Sequence, residues 1–225
     1  LGFKWKPMDA LALRGTSAGG ACIALVRGRS GIGKSALLAA VAREAETRER
    51  ALVLVGRCHE FETVPFKGLD GVIDSLSRHL KASSSEELGR LLPPDLGDLA
   101  TIFPVLRRIA PIASAYARRS TAERTVQRIR AAGLACLREM LRRIAEGTPL
   151  LVLIDDVQWA DEDTSRALVE LLKDQHPPAM LLLLGSRPDD STPVIAELFG
   201  ASGGRAVIEA ARVTVDLEPL DETAT

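Results

Sequence analysis

The chain has 225 residues, of which 46% are hydrophobic and 26% charged, with a formal net charge of −1. That balance fits one globular domain with a sizeable core and excludes a disordered or low-complexity chain. The longest apolar runs, at 150–154 and 179–184, are too short to span a bilayer, and no secretory signal precedes the first strand, so a cytoplasmic location without membrane contact is expected.

Leu1–Gly20 reads as an irregular lead-in with a short helix at Met8–Leu13. The apolar run Ala21–Arg27 reads as a buried strand. Gly28-Arg29-Ser30-Gly31-Ile32-Gly33-Lys34-Ser35 follows it and fits G-x-x-x-x-G-K-S/T, a phosphate-binding loop. Each residue type has a separate reason. Glycines let the backbone turn tightly and point successive N–H groups at phosphate oxygens. Lys34 extends a compact positive charge toward the β- and γ-phosphates, and the Ser35 hydroxyl suits Mg²⁺, which prefers hard oxygen donors. A helix is expected from the loop to about Arg48, its N-terminal dipole favouring anions.

Ala51–Gly56 reads as a second buried strand, and Gly56–Phe66 as a loop. Phe66–Lys81 carries Leu69, Val72, Ile73, Leu76 and Leu80 at helical spacing. A short helix is expected at Glu86–Leu92, and broken helix over Leu96–Ile109, interrupted by Pro104. A long amphipathic helix is expected from Thr121 to Ala145. Between Arg107 and Arg143 lie ten arginines against Glu123 and Glu139. This is either a nucleic-acid surface or a solvated helix face; with Tyr116 the one ring available for stacking and a net charge near zero, direct nucleic-acid contact is not expected.

Leu150–Ile154 is an apolar strand that runs into Asp155 and Asp156. Carboxylates at the carboxyl end of such a strand sit where open α/β sheets bind ligands. Asp155 is expected to partner Mg²⁺, directly or through water, and Asp156 to orient an attacking water. Asp161 or Asp163 is read as a helix cap, and Trp159 as a packing anchor in preference to a nucleotide stack. A further buried strand, Ala179–Leu184, leads to Arg187 at the same edge, where a cation can sense the γ-phosphate or pair with Asp189 or Asp190. Arg212–Leu217 alternates as a last strand. Cys22, Cys58 and Cys136 match no metal or disulfide spacing and read as buried free thiols of a reducing compartment.

The loop Gly28–Ser35, the segment Gly56–Leu76 with Glu60, Glu62, Pro65 and Phe66, the run Asp155-Asp156-x-Gln158-Trp159-x-Asp161 and the segment Leu182–Arg187 together resemble the STAND-type, AAA-like P-loop ATPase module of large bacterial signalling regulators. The resemblance covers about Ala21–Leu217. It implies a three-layer α/β fold with a five-stranded, mostly parallel sheet, the Asp155 strand beside the P-loop strand. It also implies binding of ATP and Mg²⁺, with Lys34, Asp156 and Arg187 catalytic and Ser35 and Asp155 at the metal. Companion domains of such modules include Ser/Thr protein kinases, tetratricopeptide repeats and helix-turn-helix domains; self-association is left open. On this reading residues 1–20 are lead-in, 21–217 the ATPase domain and 218–225 the start of a lid or linker, both ends resembling cuts from a longer chain. Leu1–Gly20 lacks the Gly-Arg-Glu-type segment that helps form the family's adenine pocket, and Asp156 stands where many relatives have the longer Glu, so slow hydrolysis is expected. Two other readings stay open: a nucleotide-binding interaction module with little hydrolysis, and a small-molecule P-loop kinase. No H-R-D-L or D-F-G run occurs, so protein-kinase activity would belong to a companion domain.

Overall fold

Strands β1 (Ala21–Arg27), β2 (Leu52–Arg57), β3 (Leu150–Asp155), β4 (Met180–Ser186) and β5 (Ala210–Asp216) form one sheet. The computed structural model describes residues 20–60, 65–119, 125–173, 177–188, 192–199 and 210–218; the helix expected at 8–13 lies outside them. Every strand pairing is parallel, and the order is β2-β3-β4-β1-β5. The three-layer α/β expectation therefore holds, with a sheet that is parallel throughout.

The strand order corrects one expectation. The Asp155 strand does not lie beside the P-loop strand, because β4 is inserted between β1 and β3. All of β3 and β4, and β1 up to Val26, are buried. Three runs of that kind suit the middle of a sheet equally well, so their composition does not rank them.

Successive residues of each strand enter different cores, as the two-residue period of a strand requires. Cys22, Ala24 and Val26 join Leu38, Leu151, Leu153, Leu181 and Leu183 under helix α1 (Lys34–Arg48). Ile23 and Leu25 face the larger core. There α2 (Asp70–Ala82) lies along β2 and contacts β3, with the later helices beyond it. At the sheet edge, β5 is at best half-buried along its length.

The helical insertion between β2 and β3 departs from the periodicity in three places. The helix expected from Phe66 begins as a 3₁₀ turn at Lys67–Leu69, because Phe66 sits in the left-handed region at φ 63°. After α3 (Ser85–Leu91), closed by a Ser84–Glu87 capping box, and α4 (Leu96–Ile102), a 3₁₀ turn at Pro104–Arg108 leads into α5 (Ala110–Ala117). That helix has little apolar–polar contrast to betray it; Pro111 falls in its first turn, where a missing N–H costs nothing. The long helix α6 (Val126–Gly147) starts at a Thr125 cap, and residues 120–124 lie outside the described residues. Beyond β3, α7 (Glu162–Leu172) packs on α6 and on α8 (Pro193–Phe199), the other helix that the pattern does not announce.

Several arginines of the arginine-rich stretch are engaged by other groups of the fold. Arg107 lies 3.8 Å over the Tyr116 ring and donates to the Ala100 carbonyl at 2.9 Å. Arg130 pairs with Asp163 at 2.7 Å, and Arg142 and Arg143 both grip Glu139. The three cysteines are buried, and none forms a disulfide. Among the described residues, no helix is long and apolar enough to cross a membrane.

Candidate functional site

The carboxyl ends of β1, β2, β3 and β4 meet around a cavity of about 510 Å³, lined among others by Gly31, Lys34, Ser35, Arg57, Asp156 and Arg187. The phosphate-type loop forms its floor. Gly31 and Gly33 have φ of 81° and 98°, conformations that side chains rarely adopt, so glycine is required at both. Gly33 then starts α1, accepting the Leu37 N–H at 2.9 Å, and no acidic residue occupies the first turn of that helix. The helix N-terminus thus presents partial positive charge and free N–H groups to the cavity. Ser30, Gly31, Gly33, Lys34 and Ser35 line it. Gly28, Arg29 and Ile32 do not; the Gly28 N–H is tied to the Ser186 carbonyl, and Arg29 is exposed. Lys34 is 7% exposed, and among the described residues its ammonium has no hydrogen-bonded carboxylate.

Asp155 and Ser35, 120 residues apart, meet beneath this floor. The Ser35 hydroxyl donates to Asp155 Oδ2 at 2.6 Å, and Asp155 Oδ1 accepts the Asp156 N–H at 2.9 Å. With β4 lying between β1 and β3, the carboxylate has to cross that strand to reach the loop. Gly185 leaves the room: a Cβ there would overlap Asp155 Oδ1 and stand 2.7 Å from Leu38 Cδ1.

Asp156 stands at the cavity wall with φ 56°, a left-handed conformation that Asp tolerates at a cost. Both carboxylate oxygens are engaged. Oδ2 accepts from Arg57 Nη2 at 2.7 Å and Nε at 3.0 Å, and Oδ1 accepts from Gln158 Nε2 at 3.0 Å. Burial pushes this carboxyl upward, but the Gln158 and Arg57 hydrogen bonds and the charges of Arg57 and Lys34 outweigh it and hold the group below its ordinary value. Arg187 follows β4 directly and lies on the cavity side of Trp159, its guanidinium carbon 5.3 Å from the ring. The alternative partners Asp189 and Asp190 lie outside the described residues.

A model of the AAA ATPase domain matches residues 8–184. The chain belongs to the AAA ATPase domain family. No curated protein matches the sequence. Among solved structures, Drosophila ORC bound to GC-rich DNA and Cdc6 is similar at 15% identity and a TM-score of 0.45, over 93% of this chain and 55% of that one. A STAND protein with a tetratricopeptide repeat sensor from Pyrococcus horikoshii is similar at 13% identity and a TM-score of 0.39, over 92% of this chain and 23% of that one. The chain therefore spans about half the length of the first of these and under a quarter of the second.

In this AAA ATPase domain the structure brings Lys34, Ser35, Asp156 and Arg187 to one cavity, with Asp155 just below. Sequence reasoning missed Arg57 and Gln158 as the partners of Asp156. The signal for Arg57 was its place as the last residue of β2, where parallel register pairs it with Asp155. It also missed Trp159 as the platform under Arg187. Of the two candidate caps, Asp161 takes the role, accepting the Thr164 N–H at 2.8 Å and the Phe66 N–H at 3.4 Å. Asp163 instead pairs with Arg130.

Proposed function

We propose that this chain binds Mg²⁺-ATP at the β-strand carboxyl edge and hydrolyses it slowly, as a conformational switch within a larger signalling or transcription-regulating protein. One observation carries the reading: the Ser35–Asp155 hydrogen bond joins the phosphate loop to the acidic strand end. Ser35 and Asp155 offer hard oxygen donors at the foot of the loop, the chemistry that Mg²⁺ favours, and these two residues would hold it. Bound there, the ion would supply charge neutralisation for the β- and γ-phosphate oxygens. The backbone N–H groups of the loop would hold the phosphates, and buried Lys34, which has no hydrogen-bonded carboxylate among the described residues, would gain an anionic partner in direct contact. Arg187, which lines the same cavity, would meet the γ-phosphate.

Slow turnover follows from Asp156. A base that orients water needs a free oxygen and a pKa near the working pH. Here both oxygens are occupied, and Arg57 and Gln158 depress the carboxyl. The same clamp favours a second reading, in which the module binds nucleotide as an interaction platform and hardly hydrolyses it. The motif resemblance supports companion domains on the same polypeptide, as in STAND-type regulators.

Titration with fluorescent ATP and ADP, with and without Mg²⁺, tests the site. Mg²⁺-dependent binding that Lys34→Ala abolishes, in a variant still folded by circular dichroism, is expected. A folded wild-type chain that binds neither nucleotide refutes the proposal. Measurable turnover that drops with Asp156→Asn excludes the second reading.

A further inference from the structure

We infer that Trp159 is a positioning residue: its indole face indexes Arg187 so that the cavity distinguishes nucleoside triphosphate from diphosphate. The inference rests on the nucleotide-site reading above and adds to it the group that aims the γ-phosphate cation.

An arginine at a strand end needs something to hold it. A carboxylate would do so by neutralising the guanidinium and occupying its N–H donors. Among the described residues no carboxylate pairs with Arg187; the contact it makes is with the ring of Trp159, 5.3 Å from the guanidinium carbon. An aromatic face attracts the cation through its quadrupole and leaves the whole charge and the five N–H donors available to an incoming phosphate. Trp159 therefore restrains Arg187 without using up what Arg187 offers.

The indole is itself well fixed. Trp159 closes the 3₁₀ turn Val157–Trp159, its N–H bonded to the Asp156 carbonyl at 3.0 Å, and Ala160 N–H bonds to Val157 at 3.1 Å. Val157 is fully buried, and Asp161 caps α7 two residues on. The half-buried indole packs against the larger core and lines the cavity. Strand end, turn and cap thus form one rigid piece that carries Asp156 on one side and the Arg187 platform on the other. On the β4 side, Ser186, which is buried, precedes Arg187, and the exposed Pro188 with its fixed φ follows it, which limits how far the Arg187 backbone can drift.

The test uses the full chain with Trp5→Phe, which leaves Trp159 the one tryptophan of the two, and calorimetric titration with Mg²⁺-ATPγS and Mg²⁺-ADP. Trp159→Leu is expected to lower the ATPγS-over-ADP preference about threefold, the scale of an exposed cation–π contact, with ADP affinity unchanged. Trp159→Phe, which keeps an aromatic face, restores most of the preference. In an Arg187→Ala background Trp159→Leu has no further effect. Equal weakening of both nucleotides, or a loss undiminished without Arg187, overturns the inference and leaves Trp159 a packing residue. If Lys34→Ala binds both nucleotides like wild type, the site reading is what fails. If Lys34→Ala abolishes binding but Arg187→Ala leaves the preference intact, the role of Arg187 fails and this inference with it. Should Trp159→Leu not fold, Trp159 emission decides. A change with ATPγS that Arg187→Ala removes supports the contact, and a change identical in both proteins refutes it.

Discussion

Replacing Gly185 by Ala tests whether the carboxylate of Asp155 reaches the phosphate loop across β4. The added Cβ would overlap Asp155 Oδ1 and stand 2.7 Å from Leu38 Cδ1. The Leu38 methyl belongs to a flexible side chain and can give way. Asp155 cannot do so freely, because Oδ1 accepts the Asp156 N–H at 2.9 Å while Oδ2 holds Ser35 at 2.6 Å. Moving the carboxylate by the order of 1 Å breaks both bonds in a site that is 7% exposed. Overpacking together with two lost hydrogen bonds to a charged group amounts to about 2–4 kcal/mol. For a domain of this size that is a drop in Tm of roughly 5–15 °C. The same displacement takes Asp155 away from the Mg²⁺ position proposed above, so Mg²⁺-dependent ATP binding should weaken as well. Differential scanning fluorimetry and Mg²⁺-dependent ATP titration on Gly185→Ala read the two effects, with Ser35→Ala as the variant that removes the contact and leaves β4 intact. A Gly185→Ala protein with wild-type Tm and wild-type Mg²⁺-dependent binding would falsify the reasoning.

Asp161→Ala removes both the α7 cap and the acceptor for the Phe66 N–H, so a loss of about 1–2 kcal/mol in urea unfolding is expected, against no change if the cap is ornamental. Glu139 is held at a pKa of about 2, below its ordinary 4.5, by hydrogen bonds from Arg142 and then Arg143. A depressed carboxylate contributes stability that is present above pH 4.5 and lost as pH falls toward 2. The Tm gap between wild type and Glu139→Gln should therefore close over that interval and stay constant from pH 6 to 8. Burial, followed by the charge of Asp95, pushes the Cys136 thiol up to about 12. Iodoacetamide at pH 8 should then spare Cys136 in the native protein and label it in urea; rapid native labelling at that position, read by mass spectrometry, contradicts the buried-thiol assignment.

Segments whose role depends on contiguous residues were legible without coordinates. The phosphate loop is one. Its nest of N–H groups, its two left-handed glycines and the helix behind it all lie within Gly28–Arg48, and local backbone geometry there follows from residue type. The buried strands are another, since runs such as Leu150–Ile154 and Met180–Leu184 have no polar face to expose. Ala110–Ala117 and Pro193–Phe199 escaped for the opposite reason: each is about two turns long, too short to establish a period.

Tertiary structure decided everything that depends on which strands are neighbours. The insertion of β4 between β1 and β3 makes Gly185 the gap through which Asp155 reaches Ser35, and no local pattern near residue 185 announces that. Parallel register at the β2 edge delivers Arg57 to Asp156, turning the expected water-orienting group into one whose oxygens are both engaged. Packing of α6 against α7 pairs Arg130 with Asp163, a neutralisation that a count of charges along the chain does not reveal. Sequence by itself determines what a short stretch of chain is able to do. Burial of two sheet faces at once selects which stretches meet, and that selection minimises the free energy of the whole core rather than of any segment.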